Sequence, residues 1–258
     1  MSRIRNLLAE QLEELESRNA LAEDPEELHK VRVATRRSRA IVRATRPLLG
    51  DALAAVGSEL RWLAGLLGPV RDLDVLIAHL RVEAESLDAD HAGAESIVSA
   101  FESERETSRE ALEAALASER YQALLISFRV AVAALPGQLD DLRPLAAKEL
   151  RRFGKAAREL TADPTDEQLH RLRIRAKRAR YTTELVGAKK SARRVDLLKR
   201  LQDVIGEHQD AVVAEERLRR VARAKTAVAA GRLIERERAR RAAQRAAYPA
   251  ALRAALEG

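Results

Sequence analysis

LHKVRVATRRSRAIVRATR, residues 28–46, carries seven lysines or arginines, one histidine and no acid. The run contains none of the glycines that would interrupt a helix, and its only proline, Pro47, lies just beyond it. A helix advances about 100° per residue, so from His29 the positions Arg32, Arg36, Arg39, Arg43 and Arg46 fall in one stripe about 100° wide. Val31, Ala34, Ser38, Ile41, Val42 and Leu49 form the small and apolar stripe beside it, the face that a helix bundle buries. Lys30 and Arg37 stand apart from the basic row. The stretch therefore reads as a bundle helix whose core face adjoins a row of cations.

The same pattern returns further along the chain. LHRLRIRAKRARY from Leu169 aligns with LHKVRVATRRSRA from Leu28, roughly 140 residues apart. A second pair follows in the same order, ELRWLAGLLGPVRDLDVL from Glu59 and LLKRLQDVIGEHQDAVVA from Leu197, with Gly68 and Asp72 opposite Gly206 and Asp210. Two matched blocks in one order imply a duplicated helical unit. The prolines and glycine of LPGQLDDLRP, residues 135–144, divide the halves, giving 1–136 and 137–258.

Composition agrees with an all-α fold. Hydrophobic residues make up 46% of the 258 residues but aromatics only 3%, and Ala, Leu, Glu and Arg, the strong helix formers, dominate the rest. The expected helices are 2–20, 25–48, 51–67, 69–88, 92–118 and 121–135 in the first half, then 140–161, 165–187, 190–205, 207–223 and 225–256 in the second. Asp24-Pro25, with Glu27 as a capping-box partner, starts the first motif helix, and Gly50 ends it. Asp163-Pro164 or Thr165 with Gln168 starts the second, and Gly187 ends that one.

Forty-seven basic residues against forty acidic ones give a net charge of +7, so any strong field must come from clustering. In the second half His170, Arg173, Lys177 and Arg180 share one stripe, which Glu184 closes. In the helix before it, Arg151, Arg152 and Lys155 line up with Lys148 and Arg158 on one face. Like charges three and four residues apart repel by a few tenths of a kcal/mol per exposed pair, and a structural helix intersperses acids, as ESERETSREALEAALASER does at residues 102–120. Uncompensated rows at matched positions point to an external anion.

Arginine grips phosphate oxygens in pairs, and a linear row suits a linear polyanion. Single-stranded nucleic acid recruits aromatic stacking, for which this chain has seven aromatics, with Tyr181 alone close to a basic row. Duplex binding through phosphates stays open, but nucleic acid ranks behind a base-free polyphosphate chain, and sulfate or phosphate ions would occupy the same rows. His29 and His170 head the two rows and would gain charge beside phosphate. A metal-dependent phosphohydrolase built on His29, His170 and Asp72 or Asp210 is the rival; against it, neither motif has a His-x-x-x-His pair and the arginines repel a cation. Asp72 and Asp74 more plainly cap a helix and pair with the basic row. No phosphate-cradling glycine loop or nucleophile motif occurs, so no cofactor and no catalytic residue is expected. The absence of cysteine excludes disulfides and thiolate metal sites. No run reaches the ~20 apolar residues of a membrane span, and MSRIRNLLAEQLEELE lacks the apolar core of a signal peptide, so a cytoplasmic location is expected.

The paired blocks LHKVRVATRRSRA with LLGPVRDLDVL, and LHRLRIRAKRARYTTEL with LQDVIGEHQD, resemble the CHAD family, the conserved-histidine α-helical domains. The resemblance implies two pseudo-symmetric four-helix bundles around a basic cleft or pore, and non-catalytic binding of inorganic polyphosphate, with association with polyphosphate granules in some members. Carried onto this chain it points to His29, Arg32, Arg36, Arg37 and Arg39, and to His170, Arg173, Lys177, Arg178 and Arg180. The family often adds a triphosphate-processing CYTH domain, for which this length leaves no room. Glu184, opposite Arg43, departs from the pattern at the far end of the second row.

Overall fold

The apolar patterns all resolve into helices. The computed structural model describes residues 3–22, 24–137, 141–187 and 191–257. Among these residues lie nine α-helices: α1 (Arg3–Ser17), α2 (Pro25–Leu49), α3 (Ala54–Ala84), α4 (His91–Leu116), α5 (Glu119–Ala133), α6 (Arg143–Arg158), α7 (Asp166–Val186), α8 (Ala192–Val221) and α9 (Ala227–Glu257). Short 3₁₀ turns at Asp88–Asp90 and Ala224–Thr226 precede α4 and α9, and no strand occurs among the described residues. The chain is all-α. The expected helix starts at 2, 140 and 190 lie outside the described residues.

Two expected breaks do not occur. Helix α3 runs unbroken through Gly68-Pro69, and α8 runs through Gly206. Proline forfeits one backbone bond and crowds the carbonyl four residues earlier, at a cost of about 3 kcal/mol. Here Pro69 and Gly65 both lie on the exposed side, where water can take up the freed carbonyl. On the opposite side Leu63, Leu67, Val70, Leu73 and Ile77 are buried, each contributing about 1.5–3 kcal/mol. Together they outweigh the proline. Gly206 is buried for a different reason: a Cβ there would lie 3.1 Å from Arg173 Nη2, so the missing side chain makes room for a guanidinium.

The ends of the two motif helices follow local chemistry. Asp24 accepts a hydrogen bond from Glu26 N at 2.9 Å, and Pro25 supplies the first helical position. Glu27 does not complete a capping box; its carboxylate instead takes Arg18 Nη1 at 3.1 Å and Lys30 Nζ at 3.2 Å. At α7 the capping box is present, with Thr165 and Gln168 exchanging side-chain and backbone bonds. Gly50 (φ 58°) and Gly187 (φ 67°) close α2 and α7 in the positive-φ region that side chains resist.

Packing divides the chain into two compact units, Met1–His79 with Val98–Asp140, and Leu80–Ile97 with Asp141–Gly258. In the first, Ile4, Leu8, Leu12 and Leu15 of α1 are buried together with Leu28, Val31, Ala34 and Ile41 of α2. Tyr121 of α5 anchors α1 by donating its hydroxyl to Leu15 O at 3.0 Å. In the second, Phe153 of α6 packs with Leu169, Leu172 and Ala176 of α7, Leu198, Leu201 and Ile205 of α8, and Ala255 of α9. The α3–α4 connection belongs to this unit: Arg236 of α9 reaches Glu83 at 2.8 Å, and Arg232 reaches Asp90 at 2.9 Å.

Candidate functional site

On α2 the core face is the one expected from spacing. Leu28, Val31, Ala34, Thr35, Ser38, Ile41 and Thr45 are buried, and Thr35 and Thr45 return their hydroxyls to Val31 O and Ile41 O at 2.9 Å. Burying this face turns His29, Arg32, Arg36, Arg39 and Arg43 outward along one flank. Arg37, off the row, is exposed and has no ion pair among the described residues.

At the start of the row, Arg32 Nη1 donates to Asp72 Oδ1 at 2.7 Å. Asp72 lies in the middle of α3 and not at a helix start, so it pairs with the row without capping anything. Asp74 turns instead to Arg105 on α4, at 3.6 Å. His29 is half-buried, and its pKa is pushed below the usual histidine range first by burial, then by Arg71, with Arg36 and Arg32 adding to the effect and Glu26 opposing it. Neutral imidazole is therefore the resting form, and a nearby anion would favour the charged one.

Toward the far end of the first row, the last cation, Arg46, pairs with Asp51 at 3.0 Å. Arg39, Arg43 and Arg61 of α3 form no ion pair among the described residues. Arg39 is held below the ordinary arginine value by burial first and by Arg43 and Arg61 after it. Guanidinium stays protonated regardless, so the shift registers burial first, and after it repulsion from Arg43 and Arg61, with no acid among its causes.

The second row is arranged differently. His170 is exposed. Arg173 forms no ion pair among the described residues, and its Nε is buried with no acceptor as the side chain lies over Gly206. Lys177 and Arg178 are half-buried. Arg180 is compensated: Nη1 donates to Glu184 at 2.7 Å, Nε to Gln202 Oε1 at 3.1 Å, and the guanidinium stacks 4.4 Å from the Tyr181 ring centroid. On α6, Arg152 pairs with Glu149 at 2.6 Å and Lys155 with Glu159 at 3.7 Å, while Arg151 is exposed with no ion pair among the described residues. Two of the three expected α6 cations are thus paired with acids of their own helix or its C-cap.

Helix α9 shows what structural arginines look like in this protein. Every arginine from Arg232 to Arg245 reaches an acid: Asp90, Glu83, Glu215, Glu207 or Asp166. Arg61 and Arg71 were missed by sequence reasoning. Both lie on α3, and their approach to the α2 row is a matter of tertiary packing that a single-helix projection does not reach. Among the described residues no group of three or more His, Asp or Glu comes together to hold a metal ion.

An all-helical chain bearing two histidine-headed arginine rows defines a class, and comparison places it. The CHAD domain family matches residues 6–219, and the chain belongs to that family. Two proteins from strains of Mycobacterium tuberculosis, MT2285 and Rv2226, both uncharacterized by name, are similar at 30% identity over 231 residues. The match covers 83% of this chain and 44% of theirs, so the chain spans less than half the length of these relatives. Among solved structures, PptA from Streptomyces chartreusis superposes with a TM-score of 0.82 at 22% identity, over 98% of this chain and 97% of that one. The CHAD domain from the plant Ricinus communis does so with a TM-score of 0.77 at 27% identity, over 97% and 90%. No helix among the described residues is long and apolar enough to cross a membrane.

Proposed function

We propose that the protein binds inorganic polyphosphate through the cations of α2 and α7, without a catalytic step. The observation that carries this reading is the sorting of arginines. Those of α9 from Arg232 to Arg245 are matched to acids, whereas Arg39 and Arg43 on α2 and Arg173 on α7 are not. Desolvating a guanidinium is costly unless an anion compensates, and the protein leaves that compensation to a ligand. Successive row positions rise about one turn, ~5 Å, along the helix, which presents charge as a line and suits a linear polyanion.

The family resemblance supports the same ligand, and with it an association with polyphosphate granules. Nucleic acid fits less well. Phe101, Phe128 and Phe153 are fully buried, Tyr121 is buried, and Tyr248 packs against the second core. Trp62 and Tyr181 each already carry an arginine on one face, Arg120 at 4.2 Å and Arg180 at 4.4 Å. Little aromatic surface is left for bases to stack on.

Titration of the full chain with long-chain polyphosphate, in competition with duplex DNA at about 0.15 M salt, tests the reading. Polyphosphate should bind, weaken as salt rises, and survive a mass excess of DNA. No binding, or displacement by an equal mass of DNA, contradicts it.

A further inference from the structure

We propose that the first unit holds a discrete pocket for a phosphate group with three free oxygens, the end group of a chain or a free phosphate ion, bound by Arg39, Arg43 and Arg61. As a chain-end site it rests on the polyphosphate reading; as an anion pocket it stands on its own geometry.

The pocket lies where α2 ends and α3 begins, has a volume of about 260 Å³, and combines these three arginines with an apolar lining of Val42, Leu49 and Leu53. Sites for drug-sized ligands run from roughly 300 to 1,000 Å³, so this one suits a compact ligand. Its charge is one-sided. Arg46 at its edge is taken by Asp51 at 3.0 Å, while Arg39, Arg43 and Arg61 have no acid partner among the described residues. The α2 C-terminus and the α3 N-terminus meet here with opposed dipoles, which offset each other and leave the side-chain charges to set the field. Close approach of the two helices depends on Gly57, where a Cβ would lie 3.0 Å from Val42 Cγ1.

The choice of phosphate group follows from counting oxygens. An interior phosphate of a chain has two free oxygens and one negative charge. An end group has three free oxygens and a second ionisation near neutrality, as a phosphomonoester does, for a charge of about −1.5 to −2. Three guanidinium groups around one pocket match the end group better than the interior one. The remainder of the α2 row then addresses interior phosphates, so the first unit reads both the length and the end of a chain.

The test uses calorimetry on the full chain with three probes: tripolyphosphate, orthophosphate, and long-chain polyphosphate capped at both ends as phosphoramidates. Arg61→Gln is the informative variant, because Arg61 lies exposed on α3 and its loss leaves the core intact, which a thermal melt verifies. Loss of one charge-assisted bond should weaken tripolyphosphate by roughly tenfold or more, several-fold beyond any loss for capped chains, with partial recovery in Arg61→Lys. The same Arg61 dependence for orthophosphate assigns the pocket to the free ion, and its absence assigns the pocket to chain ends. Equal losses for tripolyphosphate and capped chains, or tripolyphosphate binding indifferent to Arg61, overturn the proposal. If capped chains fail to bind the unmodified protein while tripolyphosphate binds through Arg61, the pocket stands and the polyphosphate reading falls.

Discussion

The rows on α2 and α7 occupy matched places in the sequence, yet their acids sit at different positions. On α2 the start is held by Asp72 through Arg32 and the last cation, Arg46, by Asp51, while Arg39 and Arg43 before it are open. On α7 the start at Arg173 is open, and the far end is closed by Glu184 through Arg180. Similar cationic spacing therefore does not mean similar binding capacity. What decides it is which guanidinium groups an internal acid has already satisfied.

The largest expected effect breaks the comparison at the open cations of α2. Arg39→Ala with Arg43→Ala removes two uncompensated cations, each worth about 1.5–3 kcal/mol to a charged partner. Polyphosphate affinity measured by calorimetry should fall on the order of a hundredfold. On α7, Arg173→Ala should cost about tenfold, and Arg180→Ala less, because Glu184 and Gln202 already hold Arg180. An Arg180 loss larger than the Arg173 loss would show that the acid pattern does not govern binding.

A smaller effect separates His29 from His208. The His29 pKa is depressed by burial and by Arg71, so the folded protein binds fewer protons at this site than the unfolded chain does. Stability from this site is fully present above the ordinary histidine value of about 6.5 and is lost as pH falls through the lower folded value. Polyphosphate reverses that preference, so binding takes up a proton and tightens several-fold as pH falls below about 6.5. His29→Asn should flatten the profile. His208, whose pKa is also lowered by burial and which lies 3.3 Å from Asp166, adds to the loss of stability in acid but is outside both rows; His208→Asn should leave the binding profile sloped.

The smallest effects sharpen the comparison. Glu184→Gln releases Arg180 and should tighten polyphosphate by a few-fold, in keeping with about 0.5 kcal/mol for a helical pair four residues apart. Gly206→Ala should change the melting temperature little, since a helix gains up to about 1 kcal/mol from the exchange while the new Cβ displaces only the flexible end of Arg173. Its binding loss should approach that of Arg173→Ala if the position of that guanidinium matters.

Much of this was legible before the fold. The apolar stripe of α2, the stops at Gly50 and Gly187, the Thr165–Gln168 cap and the significance of Glu184 all rest on local chemistry, which sequence displays directly. The continuity of α3 did not show, because proline punctuation is local while the burial of Leu63, Leu67 and Leu73 that overrides it is tertiary. Gly206 reads in sequence as a break, and only the approach of Arg173 shows it to be a clearance. Arg61 and Arg71 stayed hidden for the same reason: each joins the α2 row from another helix. The pairing of Arg152 and Lys155 with their own helical neighbours was in plain view at i,i+3 and i,i+4 spacing.

The central claim is that acid-free cations, and not positive charge in general, bind the polyphosphate chain. Its most direct test compares long-chain polyphosphate affinity at about 0.15 M salt for Arg39→Ala/Arg43→Ala with that for Arg129→Ala/Arg200→Ala, whose arginines are exposed and paired with Glu16 and Asp196. The account predicts a loss on the order of a hundredfold for the first pair and less than threefold for the second; equal losses in the two would contradict it.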